Sequence, residues 1–271
     1  MHEKQRTENV NSWTCNRVSK GSVKRCMKNS GRKMLIAGHV IVCQKKGEIK
    51  MNDSAIYAHV DHTILTAFAT WEEVINICEE AIRYKTASIC IPPSFVKRVN
   101  EKYGSAINIC TVIGFPLGYS CMEAKNSEIL KALEEGASEF DVVINIGDAK
   151  AKNFDKITTE LAALKKTTGD KILKVIIECC YLQTDEKIAL CKCVTDSGAD
   201  YIKTSTGFGT GGAKLQDIQL FKEHIGPNVK MKAAGGMRTR EDFIAFINEG
   251  CTRLGTSSAV KVLSGATPDA Y

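Results

Sequence analysis

From residue 55 to residue 263, short β-branched or apolar runs alternate eight times with stretches of helical periodicity. This alternation constrains the fold more than any single residue does. Strand followed by helix, repeated, builds a parallel sheet, and eight such units close naturally into a (β/α)8 barrel, the TIM-barrel class of α/β fold. The strand-like runs lie near 59–61, 87–91, 107–113, 140–144, 172–177, 201–203, 230–232 and 253–254. Between them, helices are expected after Thr70 as far as about Ala81, and near 94–103, 120–135, 154–166, 184–197, 215–225 and 240–248, with a last short one at 257–263. Thr70 with Glu73 forms a capping box, and Val74, Ile77, Cys78 and Ala81 then line one helical face. Gly136, Gly169, Gly198, Gly226-Pro227 and Gly250 stand where helices should stop. An open doubly wound sheet is the alternative, but the segment Asp61-His-Thr-Ile-Leu65 lacks the glycines that a dinucleotide fold places after its first strand.

Charge divides the 271-residue chain in two. Residues 1–50 hold 12 Lys/Arg against 3 Glu, whereas the remainder holds 25 Lys/Arg against 28 Asp/Glu. The body is therefore not basic, and no nucleic-acid partner is expected. The first fifty residues read as a basic, poorly ordered extension, with one apolar run from Met34 to Cys43. The folded barrel is expected over 51–263, from Met51, with a flexible tail over 264–271. No run of 18 apolar residues suggests a membrane span. The 12 cysteines show no C-x-x-C or other metal spacing and sit mostly in apolar runs, as buried thiols of a reducing, cytoplasmic compartment would. Neither a metal nor a cofactor is expected.

In such a barrel, chemistry gathers where strands end. The residues at or just after strand ends are Asp61 and Thr63, Cys90, Gly114 and Pro116, Asp141 and Asn145, Glu178, Lys203, Lys232 and Gly255. Lys203 and Lys232 stand out because they end consecutive strands. A buried ammonium loses hydration, and two of them side by side repel, which would lower a lysine pKa toward about 7–8 from about 10.4. A neutral amine is what attack on a carbonyl requires. Structural salt bridges are the competing explanation. Asp141, inside the apolar run Phe140-Asp-Val-Val-Ile144, is either an ion-pair partner of these lysines or a proton carrier.

Glycines give a second signal. Gly235-Gly236 follows the seventh strand, and Gly255-Thr-Ser-Ser258 follows the eighth and opens a short helix. Loops in those two places commonly cradle phosphate, with Ser257 and Ser258 as further donors. The loop Gly207-Phe-Gly-Thr-Gly-Gly212 is a weaker signal. His62 reads as a structural histidine and Cys90 as a lining thiol.

These segments resemble the deoxyribose-phosphate aldolase family. The matching stretches are Val60-Asp-His-Thr-Ile-Leu65, Val112-Ile-Gly-Phe-Pro-Leu-Gly118, Glu139-Phe-Asp-Val-Val-Ile-Asn145, Lys174-Val-Ile-Ile-Glu178, Tyr201-Ile-Lys-Thr-Ser-Thr-Gly-Phe208, Lys232-Ala-Ala-Gly-Gly-Met-Arg238 and Arg253-Leu-Gly-Thr-Ser-Ser258. They run in order from about residue 55 to 263 and leave residues 1–50 outside. The resemblance implies a metal-independent class I lyase of deoxyribonucleotide catabolism. It would cleave 2-deoxy-D-ribose 5-phosphate reversibly to glyceraldehyde 3-phosphate and acetaldehyde. It further implies Lys203 as the Schiff-base lysine, Lys232 as the group that tunes it, and Asp141 as a proton relay through water. Gly207, Gly235, Gly236, Gly255, Ser257 and Ser258 would hold the phosphate, and Asp61 and Thr63 would line the site. Some relatives end in a tyrosine thought to pass a proton, a role that would fall to Tyr271. A different Schiff-base aldolase and a non-catalytic phosphosugar-binding barrel are the alternatives. The partner expected is a small phosphosugar, and a homodimer or higher homo-oligomer is compatible with the sequence.

Overall fold

The computed structural model describes residues 51–265 throughout, together with the backbone of three strands in the first fifty residues. The chain divides into two compact units, 1–50 and 51–271. In the first unit, β1 (Trp13–Val18), β2 (Arg32–Ile36) and β3 (His39–Lys45) form an antiparallel sheet in the order β1-β3-β2. The apolar run of this segment thus supplies strand residues. Its β-branched Val40-Ile-Val42 stretch suits a pleated backbone, and only Ala37-Gly38 separates β2 from β3. The tail from residue 266 to Tyr271 lies outside the described residues.

The second unit is the barrel. Its strands are β4 (Val60–Thr63), β5 (Ser88–Ile91), β6 (Ile109–Ile113), β7 (Glu139–Val143), β8 (Ile172–Ile176), β9 (Tyr201–Lys203), β10 (Lys230–Ala234) and β11 (Cys251–Thr256). All eight pair in parallel with their sequence neighbours, and β11 closes the ring onto β4. The main helices are α2 (Trp71–Tyr84), α3 (Val96–Tyr103), α4 (Met122–Glu134), α6 (Phe154–Thr168), α7 (Thr184–Asp196), α8 (Leu215–His224) and α9 (Arg240–Glu249). Three five-residue helices, α1 (Asp53–Tyr57), α5 (Ile146–Lys150) and α10 (Ala259–Leu263), complete it. Periodicity identifies neither α1 nor α5, because one turn and a half is too short to display a period.

The expected capping box is present in α2: Thr70 Oγ1 accepts from Glu73 N, and the Glu73 carboxylate accepts from Thr70 N. Val74, Cys78 and Ala81 on the inner face of α2 are buried, as the 3.6-residue period requires. Each strand divides its residues between two environments. On β7, Phe140 and Val142 belong to the apolar layer beneath the helices, while Glu139 and Asp141 enter an ion network. Successive strand side chains point to opposite faces, so the charged residues of the strands converge inside the ring.

Candidate active site

Parallel pairing of β9 with β10 sets Lys232 directly opposite Lys203. The sequence predicts two ammonium groups repelling one another. The structure instead inserts a carboxylate: Asp141 Oδ2 accepts from Lys203 Nζ at 2.7 Å and from Lys232 Nζ at 2.7 Å. Asp141 projects from β7, across the barrel from β10, which a linear sequence does not display. Its other oxygen, Oδ1, lies 3.1 Å from Lys174 Nζ. Lys174 also reaches Glu139 at 2.6 Å and Asp61 at 3.5 Å. Asp61 holds Lys232 at 2.5 Å and accepts from Ser88 Oγ at 2.8 Å. Arg253 closes the network at the bottom with a two-point contact to Glu139, at 2.8 and 2.9 Å, and a contact to Asp61.

Asp61, Asp141, Lys174 and Lys232 are all fully shut off from solvent. Burial pushes the Asp141 carboxyl up, but the Lys174, Lys203 and Lys232 ammonium groups outweigh it and hold the pKa well below the usual carboxylate range. Asp61 is lowered in the same way, against burial, by Lys232, Lys174 and Arg253. Burial opposes the charge of Lys232, yet Asp141 and Asp61 raise its pKa above the ordinary lysine value. Lys174 is likewise raised by Asp141 and its neighbours against burial.

These directions fix a pH dependence of stability. A carboxyl lowered on folding contributes fully above its unfolded value, about 3.9, and the contribution is lost as pH falls through the folded value. A lysine raised on folding contributes fully below about 10.4 and loses that contribution as pH rises through its folded value. The melting temperature should therefore hold a plateau from about pH 5 to 10 and fall on both sides. Scanning calorimetry against pH checks this, and a melting temperature that climbs between pH 5 and pH 3 would contradict it. The network also predicts a cost for breaking it. Arg253→Met would leave Glu139 short of its two-point partner, and buried charges stripped of a partner cost about 3–5 kcal/mol. Urea unfolding should show a loss of that size. A change under 1 kcal/mol would place Arg253 outside the network energetically.

Above the network opens a cavity of about 410 Å³. Lys203 is the one member of the ion network in its wall, and Thr63, Thr206, Gly207, Gly235, Gly236, Gly255, Ser257 and Ser258 share that wall. The glycines and serines singled out in the sequence thus all line this one cavity. Asp61, expected to line the site, lies beneath it. Cys90, expected as a lining thiol, packs below with Cys110 and Val112, covered by Leu65 and Phe115. His62 turns outward, where its Nε2 lies 2.6 Å from Glu80 of α2. Asn145 caps α5 by accepting from Asp148 N. Lys174, Glu139 and Arg253 were present in the sequence only as parts of longer matching stretches, although each breaks an apolar strand with a charge. Arg238, Thr206 and Phe208 also line the cavity.

Two glycine loops meet at the rim. Gly212 lies flat against the Gly235–Gly236 peptide, and a Cβ there would fall 2.5 Å from the Gly235 carbonyl carbon. Ala213 N donates to the carbonyls of Ala234 and Gly235, at 3.1 Å each, which locks the two loops together. Among the described residues, the N–H groups of Gly207, Gly235, Gly236 and Ser257 have no protein acceptor. Unpaired amides lining one cavity form a nest for an anion. The Ser258 hydroxyl is engaged by Thr256 Oγ1 at 3.1 Å, so Ser257 is the freer of the two serines. The α10 helix has only five residues, and the unpaired amides of the rim belong to the loops rather than to a helix end.

Cys90, Cys110 and Asp141 bring three ligand-type atoms within 4.8 Å of one another. That trio is poorly suited to a cation, because both Asp141 oxygens already meet ammonium groups and Cys110 Sγ accepts from Lys174 at 3.2 Å.

Comparison with known proteins agrees with this geometry. Residues 55–265 match the model of the DeoC/LacD family aldolases. A deoxyribose-phosphate aldolase of Clostridium botulinum (strain Alaska E43 / Type E3) is 62% identical over 221 residues, covering 82% of this chain and 100% of the relative. One from Clostridioides difficile (strain 630) is 55% identical, over 78% of this chain and 97% of its own length. The solved tetrameric deoxyribose phosphate aldolase of Aeropyrum pernix superposes with a TM-score of 0.74 at 30% identity, covering 79% of this chain and 92% of that one. A lysine facing a cavity from the sixth barrel strand, a carboxylate beneath it and a family match spanning the whole barrel lead to one assignment: the chain belongs to the DeoC/LacD family of aldolases.

Proposed function

We propose that the chain cleaves 2-deoxy-D-ribose 5-phosphate reversibly to glyceraldehyde 3-phosphate and acetaldehyde, through a Schiff base on Lys203. The observation that carries this reading is a single lysine amine in the wall of a cavity whose rim offers unpaired backbone N–H groups. In this reading the phosphate lies at the rim and the carbonyl at the amine, which orients the bond to be broken.

An interior network of charged groups lies beneath that amine. Four cations, Lys174, Lys203, Lys232 and Arg253, meet three carboxylates, Asp61, Glu139 and Asp141. Of these cations, Lys203 is the one that reaches the cavity. Lys232 shares Asp141 Oδ2 with Lys203. The free amine adds to C1 of the open-chain sugar, and loss of water gives an iminium. Asp141 then serves as counter-ion to that iminium. The iminium accepts the electron pair of the C2–C3 bond as the C3 hydroxyl loses its proton, which releases glyceraldehyde 3-phosphate and leaves an enamine of the two-carbon fragment. Protonation at C2 and hydrolysis return acetaldehyde and the lysine. Asp141, ionised at rest, takes the C3 hydroxyl proton through an intervening water and returns a proton by the same route to C2 of the enamine, so that it ends the cycle as it began.

The test is turnover. Incubation with 2-deoxyribose 5-phosphate should release acetaldehyde and the triose phosphate in equal amounts, and a metal chelator should leave the rate unchanged. Binding of the sugar phosphate without acetaldehyde would overturn the proposal in favour of a binding barrel. The same reading takes the protein as a cytoplasmic homo-oligomer, supported by free cysteines throughout the described residues and by the tetrameric Aeropyrum relative. Among the described residues, no helix is long and apolar enough to cross a membrane.

The barrel is proposed to act without residues 1–50. Met51 is already tied to it, since Arg240 Nη2 donates to the Met51 carbonyl at 2.5 Å. A chain beginning at Met51 should keep kcat/KM within about twofold and its melting temperature within a few degrees, since the described core, ion network and cavity are built from residues after 50. A large fall in either would assign the first fifty residues a part in the enzyme.

A further inference from the structure

Just beyond β8 the backbone does something costly. Glu178 sits in the left-handed region, at φ 55° and ψ 65°, a conformation that residues with a Cβ seldom adopt. Its side chain is buried, and among the described residues no lysine or arginine pairs with it. A buried carboxylate so close to an anion nest works against anion binding by its charge alone. Its value must therefore lie in what it holds.

What it holds is the loop after Lys203. Both Glu178 oxygens accept from Thr206 N, at 3.2 and 3.3 Å, and the Thr206 hydroxyl donates to the same carboxylate. Thr206 Oγ1 in turn accepts from Phe208 N at 3.0 Å. The backbone reinforces the contact, since Cys179 N donates to the Thr204 carbonyl at 2.8 Å. Further along the loop, Gly209 packs so closely that a Cβ would lie 2.7 Å from Cys180 Sγ and 3.1 Å from Glu178 Cδ. The carboxylate thus consumes the amides of Thr206 and, through the hydroxyl, of Phe208. Gly207 lies between those two residues, in the cavity wall, and its N–H is left unpaired.

We propose that Glu178 is a positioning residue for the phosphate end of the substrate: by taking the flanking donors of the 204–209 loop, it leaves the Gly207 amide free and fixed for the anion. This rests on the reading that the phosphate occupies that rim. Glu178 touches neither the reacting carbons nor Lys203, so its influence should appear in binding and depend on the phosphate.

The experiment compares Glu178→Gln with wild type on 2-deoxyribose 5-phosphate and on unphosphorylated 2-deoxyribose, with inorganic phosphate as a competitive inhibitor. The expected result is a KM at least tenfold higher for the phosphorylated sugar and a matching rise in the phosphate inhibition constant. The kcat should stay within threefold, and kcat/KM for 2-deoxyribose should be nearly unchanged. Equal losses on both sugars, or no change on either, would overturn the proposal. If Glu178→Gln fails to fold, Thr206→Val replaces it as the deciding variant, because it removes the hydroxyl link and keeps the carboxylate. It should raise KM for the phosphorylated sugar alone, and an equal effect on both sugars rejects the positioning role. The underlying phosphate reading fails separately, if wild type itself is indifferent to inorganic phosphate and turns over the two sugars alike.

Discussion

Lys203→Ala should abolish turnover, with a fall of at least about 10⁴-fold, because no other amine of the network reaches the cavity and the covalent route closes entirely. The fold should survive the change. Removing this cation leaves Lys174, Lys232 and Arg253 facing Asp61, Glu139 and Asp141, so the buried charges balance. Acetaldehyde release measured beside a melting curve separates the two effects. Activity within a hundredfold of wild type would remove Lys203 from the chemistry. An inactive protein that has also unfolded would contradict the charge balance.

Asp141→Asn should be the next most damaging change, and it should act on both activity and stability. The carboxylate is the contact common to Lys174, Lys203 and Lys232, so its loss leaves three ammonium groups crowded around a neutral amide. Turnover is expected to drop by about 10²–10⁴-fold, the range for losing a positioned proton-transfer group. Stability is expected to fall by about 3–5 kcal/mol, as for a buried ion network that has lost a partner. The surplus positive charge also predicts that the variant gains stability as pH rises from 7 to 9, where lysines can begin to shed protons. Kinetics and urea unfolding at both pH values check this. A variant within threefold of wild-type activity would leave the proton path to other groups.

The barrel was legible in the sequence because its signals are local. Eight alternations, helix caps and terminal glycines each occupy a few adjacent residues, and the ring of eight parallel strands follows from them. The pairing of the two lysines was legible for a related reason: they lie on consecutive strands, which pair and set Lys203 beside Lys232, although β10 runs two residues past Lys232 to Ala234. What the sequence concealed is cross-barrel. Asp141 belongs to β7, yet it contacts β9 and β10 at the same oxygen, and no spacing along the chain announces that. The expected repulsion between two lysines therefore became a shared ion pair. Lys174 and Arg253 were hidden similarly. Each is a lone charge in an apolar strand, and its meaning appears only once Glu139 and Asp61 face it across the interior. Depth along the strand explains Asp61: β4 runs on to Thr63, which reaches the cavity, and leaves Asp61 one layer below it. Glu178 was visible as a strand-end carboxylate, whereas its hold on Thr206 depends on a left-handed turn that sequence does not reveal.

The central claim is that Lys203 forms the covalent bond to substrate. The direct measurement is reduction with sodium borohydride in the presence of 2-deoxyribose 5-phosphate or acetaldehyde, followed by peptide mass mapping. With acetaldehyde, the account predicts one ethyl group per chain, carried by the peptide that contains Lys203. Label on Lys232 or Lys174 with Lys203 unmodified, or no label in a protein that is turning over substrate, would contradict it.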